Sequence, residues 1–330
     1  MMPVVSSSGE PSATDLIGVD VGGTKVLGTR VRVGAGHSVP EVVQTLEAPS
    51  SAGGAAVLDA IVSVAERLGR IGVPPAAIGL GLAGFVDDDG IVRVAPNAAG
   101  LVDLDVAGAV SARLGLACVA DNDANCVAVA AHAAAQPEVG DLVSVTLGTG
   151  IGGGVIVGGD LVRGRRGWAG EPGHVVVDPD GPPCPCGQRG CWERFASGSA
   201  LAASIASAVS SGRVDRTEVP TDTAVDLFAA AARGVPGAGP VVDAFTAWVA
   251  LGVAGLVAVL DPAVVAIGGG VSAVGQDLVD RVLAQMRARH AVVLGEPAPR
   301  VVIAPGGPSA GAIGAAVLAG RRLGLLRAGA

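Results

Sequence analysis

The chain has 330 residues and a formal net charge of −8; half of it is hydrophobic, only 2% is aromatic, it holds 52 glycines and it has no tyrosine. That length is expected to form two domains, each with a core of Ala, Val, Leu and Ile and close helix-on-sheet packing. The acidic balance argues against nonspecific binding to nucleic acid or to an anionic membrane. Five cysteines are too few for a disulfide scaffold.

Residues 1–13 are rich in Ser, Pro and Gly and lack a basic start followed by an apolar core. They read as a disordered tail (residues 1–14) rather than a signal peptide. Leu16 to Asp20 is a β-branched run that predicts a strand, Val21 to Lys25 a turn, and Val26 to Val33 a second strand, so the first element is a hairpin. Leu58, Ile61, Val62, Ala65 and Leu68 recur at helical spacing over Ala55–Gly69. Ile78–Leu82 and Ala117–Ala120 predict buried strands, the second followed by a helix from Ala124 to Gln136.

The pattern then restarts. Asp141–Leu147 predicts a strand, Gly148–Gly154 a turn, and Val155–Val157 the return strand. Two such starts predict two related α/β halves. Helices are expected near Ser199–Val209, Ala224–Arg233, Val241–Leu260, Asp277–Arg289 and Ala310–Leu323, with strands at Val264–Ile267 and Val301–Ile303 and a surface loop over Gly212–Asp222. The longest apolar run, Ala247–Leu260, is too short to span a bilayer and fits a buried helix. A cytoplasmic protein is expected, in which thiols stay reduced.

His174, Cys184, Cys186 and Cys191 fall within eighteen residues, flanked by Glu171 and Glu193. One imidazole and three thiolates complete a tetrahedral zinc shell with no open position, which points to a structural metal rather than an activator of water. A disulfide or a redox pair is the alternative, although Cys-x-Cys is too short for an easy bridge. A clip that ties two carboxylates together suits a polar pocket for a hydroxyl-rich ligand. Cys118 and Cys126 lack such company and read as small buried hydrophobes.

Asp20 to Lys25 follows a strand directly. Glycines there let backbone N–H groups approach phosphate oxygens, Thr24 offers a hydroxyl and Lys25 a charge, and Asp20 can hold a hydrated Mg²⁺. A plain hairpin turn would look similar. Gly148–Gly154 carries more glycine than a hairpin needs, and is neither a Walker loop nor a dinucleotide fingerprint. Gly268-Gly269-Gly270 after a strand can pass close to adenine and ribose, or be a strand-to-helix turn. Asp121, Asn122, Asp123 and Asn125 cluster where a strand gives way to a helix. One carboxylate there caps the helix; another can accept a proton from a hydroxyl attacking phosphorus. Asn97 is a further loop polar residue. Arg163, Arg165 and Arg166 form either a solvated loop or an attractor of phosphate.

Together these motifs resemble, in the same order and over about residues 15 to 325, the ROK family of sugar kinases and repressors, within the actin-like, ribonuclease-H-like superfold. The element Cys184-Pro185-Cys186-Gly187-Gln188-Arg189-Gly190-Cys191-Trp192-Glu193 is the most specific part, and its continuation Arg194–Leu201 is closest to the family's glucokinases. The resemblance implies a two-domain α/β sugar kinase fold with an interdomain cleft: an N-terminal domain over 15–120, a larger C-terminal domain with the zinc loop over 121–305, and a final helix over 306–330 packing back on the N-terminal domain. It implies Asp123 as catalytic base. Gly84, Asn97, Asn122, Asp123, Glu171, His174 and Glu193 would bind the sugar, and His174, Cys184, Cys186 and Cys191 the Zn²⁺. Asp20, Gly22, Gly23, Thr24, Lys25, Thr149, Gly150, Gly153, Gly268, Gly269 and Gly270 would line the site for ATP and Mg²⁺. Two departures stand out: Ala83 replaces a usual Pro, and Ala98-Ala99-Gly100 follows Asn97 where a Trp is common.

The implied activity is ATP-dependent phosphorylation of the 6-hydroxyl of glucose by a homodimer or homotetramer. Kinases for N-acetylglucosamine or N-acetylmannosamine share the zinc element, and polyphosphate is an alternative donor. A sugar-sensing transcriptional regulator of the family would carry a helix-turn-helix domain, for which the fifteen or so residues before the first strand are too few. A sugar-binding protein without activity is disfavoured by Asp20, Asp123 and both glycine turns.

Overall fold

The computed structural model describes residues 13–34, 39–50, 53–95, 99–135, 139–290 and 297–326. The first part runs β1 (Thr14–Val21), β2 (Lys25–Val33), β3 (Glu41–Pro49), α1 (Gly54–Gly69), β4 (Ile78–Leu82), the short pair β5 (Phe85–Val86) and β6 (Val92–Val94), α2 (Val106–Leu114), β7 (Cys118–Asn122) and α3 (Asp123–Ala134). The second runs β8 (Leu142–Leu147), β9 (Ile151–Val157), β10 (Asp160–Leu161), α4 (Glu193–Ala196), α5 (Gly198–Ser210), α6 (Ala224–Ala232), α7 (Ala238–Leu260), β11 (Val264–Gly268), α8 (Gln276–Arg289) and β12 (Arg300–Ile303), closed by α9 (Ala310–Arg322).

These elements form two units, one of Met1–Cys126, Ala133–Pro137 and Gly311–Ala330, the other of Val127–His132 and Glu138–Ala310. Each unit holds one five-stranded sheet, ordered β3-β2-β1-β4-β7 in the first and β10-β9-β8-β11-β12 in the second. The two orders are the same: an antiparallel ribbon of three strands, then two strands added in parallel. The expectation of two related halves is met in the sheets themselves.

In the first unit Ile17 and Val19 of β1 pack with Leu58, Ile61, Val64 and Leu68 of α1. The low-aromatic composition is used on the other face, where α9 lies against β1. A Cβ at Gly18 would run into the carbonyl of Ala312, so glycine is what lets the helix backbone reach the strand. Asp15, buried in β1, is paired with the fully buried Arg30 and with Arg32 of β2. In the second unit Val143, Val145 and Leu147 of β8 share a core with Leu201, Phe228, Val249 and Val253.

Three expectations change. The edge strand β3 is not predicted from the sequence: every residue in it is exposed or half-exposed, so it lacks a buried-face alternation. The turn expected over Gly148–Gly154 ends at Gly150, and Gly152 to Gly154 lie inside β9, paired with Thr146 to Ser144. The helix around the longest apolar run spans 23 residues, long and apolar enough to cross a bilayer. Its Val242, Phe245, Val249, Ala250 and Val253 are nevertheless buried in the core of the second unit.

Candidate active site

The first unit gathers charge at the ends of parallel strands. Asp20, near the end of β1, is in register with Gly81 of β4, which is in register with Asp121 of β7. Gly81 has Asp20 Oδ1, the Asp123 backbone and the Cys126 thiol around the place where a Cβ would sit, each at 3.5 Å. Gly311, in the first turn of α9, meets Asp20 from another side, with the carboxylate 2.8 Å from its Cβ position. Neither glycine was singled out in the sequence, because a strand glycine and a helix glycine carry no local sign of the carboxylate beside them.

Burial pushes the Asp20 carboxyl up to about 7, the Asp123 charge adds to the rise, and Lys25 opposes it. Burial likewise raises Asp123 to about 6, against a hydrogen bond from the Ala124 amide. The Cys126 thiol, buried among Asp20, Asp121 and Asp123, is held neutral. With the Asp123 charge beside it, the Asp20 carboxylate is unfavourable alone and is suited to hold a divalent cation. Asn122 is fixed on three sides: its side-chain amide donates to the Gly84 carbonyl (2.9 Å), its side-chain oxygen accepts from Asn125 N (2.9 Å), and its own N–H donates to Asp121 (2.7 Å). Gly84 has φ +125°, a backbone that other residues rarely adopt.

Gly23, Thr24 and Lys25 in the β1–β2 turn are exposed, with Gly22 N–H donating to the Lys25 carbonyl (3.0 Å). Lys25 forms an ion pair of 2.7 Å with Glu47 of β3, the strand that the sequence did not reveal. Asn97 lies outside the described residues.

The second unit repeats the hairpin without the charge. Thr146 occupies in β8 the place of Asp20 in β1, in register with Gly268 of β11 as Asp20 is with Gly81. Its buried hydroxyl oxygen makes no hydrogen bond among the described residues. The sequence motif points to Thr149, which is exposed at the tip of the turn, whereas Thr146 lies inside the strand. The glycines of this region serve different ends. Gly153 is occupied: its Cβ position lies 2.6 Å from Pro172 and 2.9 Å from the Ser144 carbonyl, so its glycine seats the turn Pro172–His174. A Cβ on Gly150 would sit 2.5 Å from Glu193 Oε2. Gly269, at φ +81°, lies against the Leu147 backbone, whereas among the described residues nothing lies within 4 Å of the Gly148 and Gly270 Cβ positions. Gly148 is held from behind by the Gly198 N–H at the start of α5 (2.8 Å), and Arg166 lies over the Trp168 ring at 4.2 Å.

Glu171 precedes the short turn Pro172–His174 that rests on β9, and its carbonyl accepts the His174 N–H (3.2 Å). His174, Cys184, Cys186 and Cys191 each bring one donor atom into a group in which all lie within 4.8 Å of one another. Cys186 and Cys191 are 3.6 Å apart, Cys184 and His174 3.9 Å. Tetrahedral zinc with Zn–S near 2.3 Å sets its donors roughly 3.8 Å apart, so these residues fit the ion; a disulfide would need about 2.05 Å. The loop is anchored from below by the fully buried Trp192, which donates to the Trp248 carbonyl of α7 (2.7 Å), and by Phe195 stacked on Trp248. Glu193 joins the two features: one carboxylate oxygen is 3.1 Å from the Cys184 sulfur, the other accepts from Ile151 N at 3.4 Å.

A two-sheet frame of repeated hairpins, a carboxylate cluster at strand ends and a His/Cys₃ loop define a sugar kinase of the actin-like class. The ROK family profile matches residues 16–322. A Streptomyces coelicolor glucokinase is 34% identical over 92% of this chain and 96% of its own. A Salmonella typhimurium N-acetylmannosamine kinase is 30% identical over 92% of this chain and 97% of its own. The crystal structure of a ROK family glucokinase from Streptomyces griseus, in complex with glucose and AMPPNP, superposes with TM-score 0.78 at 32% identity, covering 92% of this chain and 98% of that one. The chain belongs to the ROK family.

Proposed function

We propose that the chain is a glucokinase that transfers the γ-phosphoryl group of ATP to the 6-hydroxyl of glucose. The observation that carries this is the pair Asp20 and Asp123, brought together around Gly81 from the end of β1 and the start of α3, in a chain whose relatives are sugar kinases. With its carboxyl near 6, Asp123 is mostly ionised at neutral pH and still basic enough to take a proton from an attacking hydroxyl. Asn122, held by Gly84, Asn125 and Asp121, orients that hydroxyl. Glu171, His174 and Glu193 would hold the remaining sugar hydroxyls.

Asp20 would hold a Mg²⁺, and that ion would offset charge on the transferring group. The Gly22–Lys25 turn and the open backbone at Gly148 and Gly270 support approach of the ATP phosphates and the adenosine. His174, Cys184, Cys186 and Cys191 would hold Zn²⁺ as a structural clip that fixes Glu193 against Ile151. Phosphoryl transfer demands little covalent work from protein groups, so orientation and charge compensation carry the rate.

The second reading is an N-acetylmannosamine kinase, favoured by the relative at 30% identity over 92% of the chain. A coupled assay over glucose, mannose, N-acetylglucosamine and N-acetylmannosamine, with ATP and polyphosphate as donors, tests both. The expected result is the highest kcat/KM with glucose and ATP; an N-acetyl sugar ahead of glucose selects the second reading.

A further inference from the structure

Asp121 is fully buried at the end of β7, one residue from Asn122 and two from Asp123. Its Oδ1 accepts from the Asn122 N–H at 2.7 Å and from the Asn125 side-chain amide at 2.9 Å. Its other oxygen pairs with Arg322, the last residue of α9, whose Nη1 also donates to the Ala120 carbonyl at 3.2 Å. Arg322 thus holds the strand end by two prongs, one on the backbone and one on the side chain.

We propose that Arg322 is a positioning residue for the reaction, acting through Asp121 to hold Asn122 and Asp123 in place. Sequence position hides this, since 201 residues separate Arg322 from Asp121. The physical need is plain. Asp20, Asp123 and the buried Cys126 thiol meet around Gly81, and the Arg322–Asp121 pair sets a cation beside this group. A fully buried carboxylate that loses its partner keeps its desolvation cost and is driven toward water or a proton. Asp121 cannot move without dragging the amide of Asn122 and the side chain of Asn125, and these set the start of α3 where Asp123 sits. Displacements near 1 Å at a reacting group are enough to cost about 10²-fold in rate.

The inference rests on the sugar kinase reading, and the test separates the two. Parent protein, Arg322→Met, Arg322→Lys and the double variant Asp121→Asn/Arg322→Met are compared for glucose phosphorylation, with the folded fraction taken from calorimetric glucose binding. Arg322→Met is expected to lose about 10²-fold in kcat per folded site while glucose and ATP KM stay within about threefold. Arg322→Lys keeps the charge, folds, and loses about tenfold in kcat because one prong is gone. In the double variant the Asn oxygen still accepts from Asn122 and Asn125 and no charge is stranded, so kcat returns to within about tenfold of the parent. Parental kcat in Arg322→Met or Arg322→Lys overturns the inference. So does a loss that vanishes once counted per folded site, or a double variant no faster than Arg322→Met. Should Arg322→Met fail to fold, Arg322→Lys at parental kcat, or a folded double variant more than about tenfold below the parent, overturns the inference. A parent that phosphorylates no sugar overturns the kinase reading, and this inference with it; an active parent with an equally active Arg322→Met overturns this inference alone.

Discussion

The two sheets share an order, yet the strand ends they present are chemically unlike. Asp20 in the first and Thr146 in the second sit at matching positions, each in register with a glycine on the neighbouring parallel strand. In the first unit the position carries a carboxylate, and two more carboxylates lie close by at the end of β7 and the start of α3. In the second the position carries a hydroxyl, and elaboration has gone into the long excursion after β10 that holds the His/Cys₃ cluster. One backbone plan thus presents a carboxylate in one case and a hydroxyl in the other. The strand register decides where a side chain can act, and its chemistry decides what it does.

The comparison is tested hardest at Asp123. Asp123→Asn should lower kcat by roughly 10²–10⁴ while glucose still binds by calorimetry, since the amide keeps its hydrogen bonds. Turnover near the parental rate would move the chemistry out of the first unit.

On the other side, Cys186→Ser should release the metal and loosen the loop bearing Glu193. Elemental analysis should find one zinc per chain in the parent and almost none in the variant. Glucose KM should rise by about tenfold or more, as one structural ligand is lost. Because Glu193 lies against Gly150 and Ile151, ATP KM should rise too, by less. A zinc-free variant with parental glucose KM would detach the metal loop from sugar binding.

A smaller effect separates the glycines of the second hairpin. Gly148→Ala meets no protein atom within 4 Å, whereas Gly150→Ala meets Glu193 at 2.5 Å. The first should leave Tm unchanged and raise ATP KM by about tenfold if phosphates use that backbone. The second should disturb glucose and ATP together. An unchanged ATP KM in Gly148→Ala reduces the turn to a plain hairpin.

The smallest effect is on stability. Asp20 titrates near 7 when folded, above its ordinary 3.8, so the folded state binds the extra proton between those values. Its contribution therefore becomes more unfavourable as pH rises through that window. Asp20→Asn should melt higher than the parent at pH 8, by on the order of a few °C, and the gap should close toward pH 4. A gap independent of pH would remove the Asp20 carboxylate as its source.

Much of this was legible in the chain alone. The β-branched runs ending in Asp20 and Leu147, the apolar spacing of α1, and the close spacing of His174, Cys184, Cys186 and Cys191 are local signals, and local signals determine strands, helices and a His/Cys₃ cluster. What the sequence could not reveal lies in contacts between distant segments. The exposed β3 that brings Glu47 to Lys25 has no inward face to betray it. Gly153 looked like part of a phosphate loop because a glycine that makes room for Pro172 and one that makes room for a ligand are the same letter. Thr146, Gly311 and Arg322 gain meaning only where register and helix packing bring them to Gly268, Asp20 and Asp121. Burial, too, belongs to the tertiary structure: composition counts carboxylates, but only packing removes their water and lifts Asp20 and Asp123 toward neutrality.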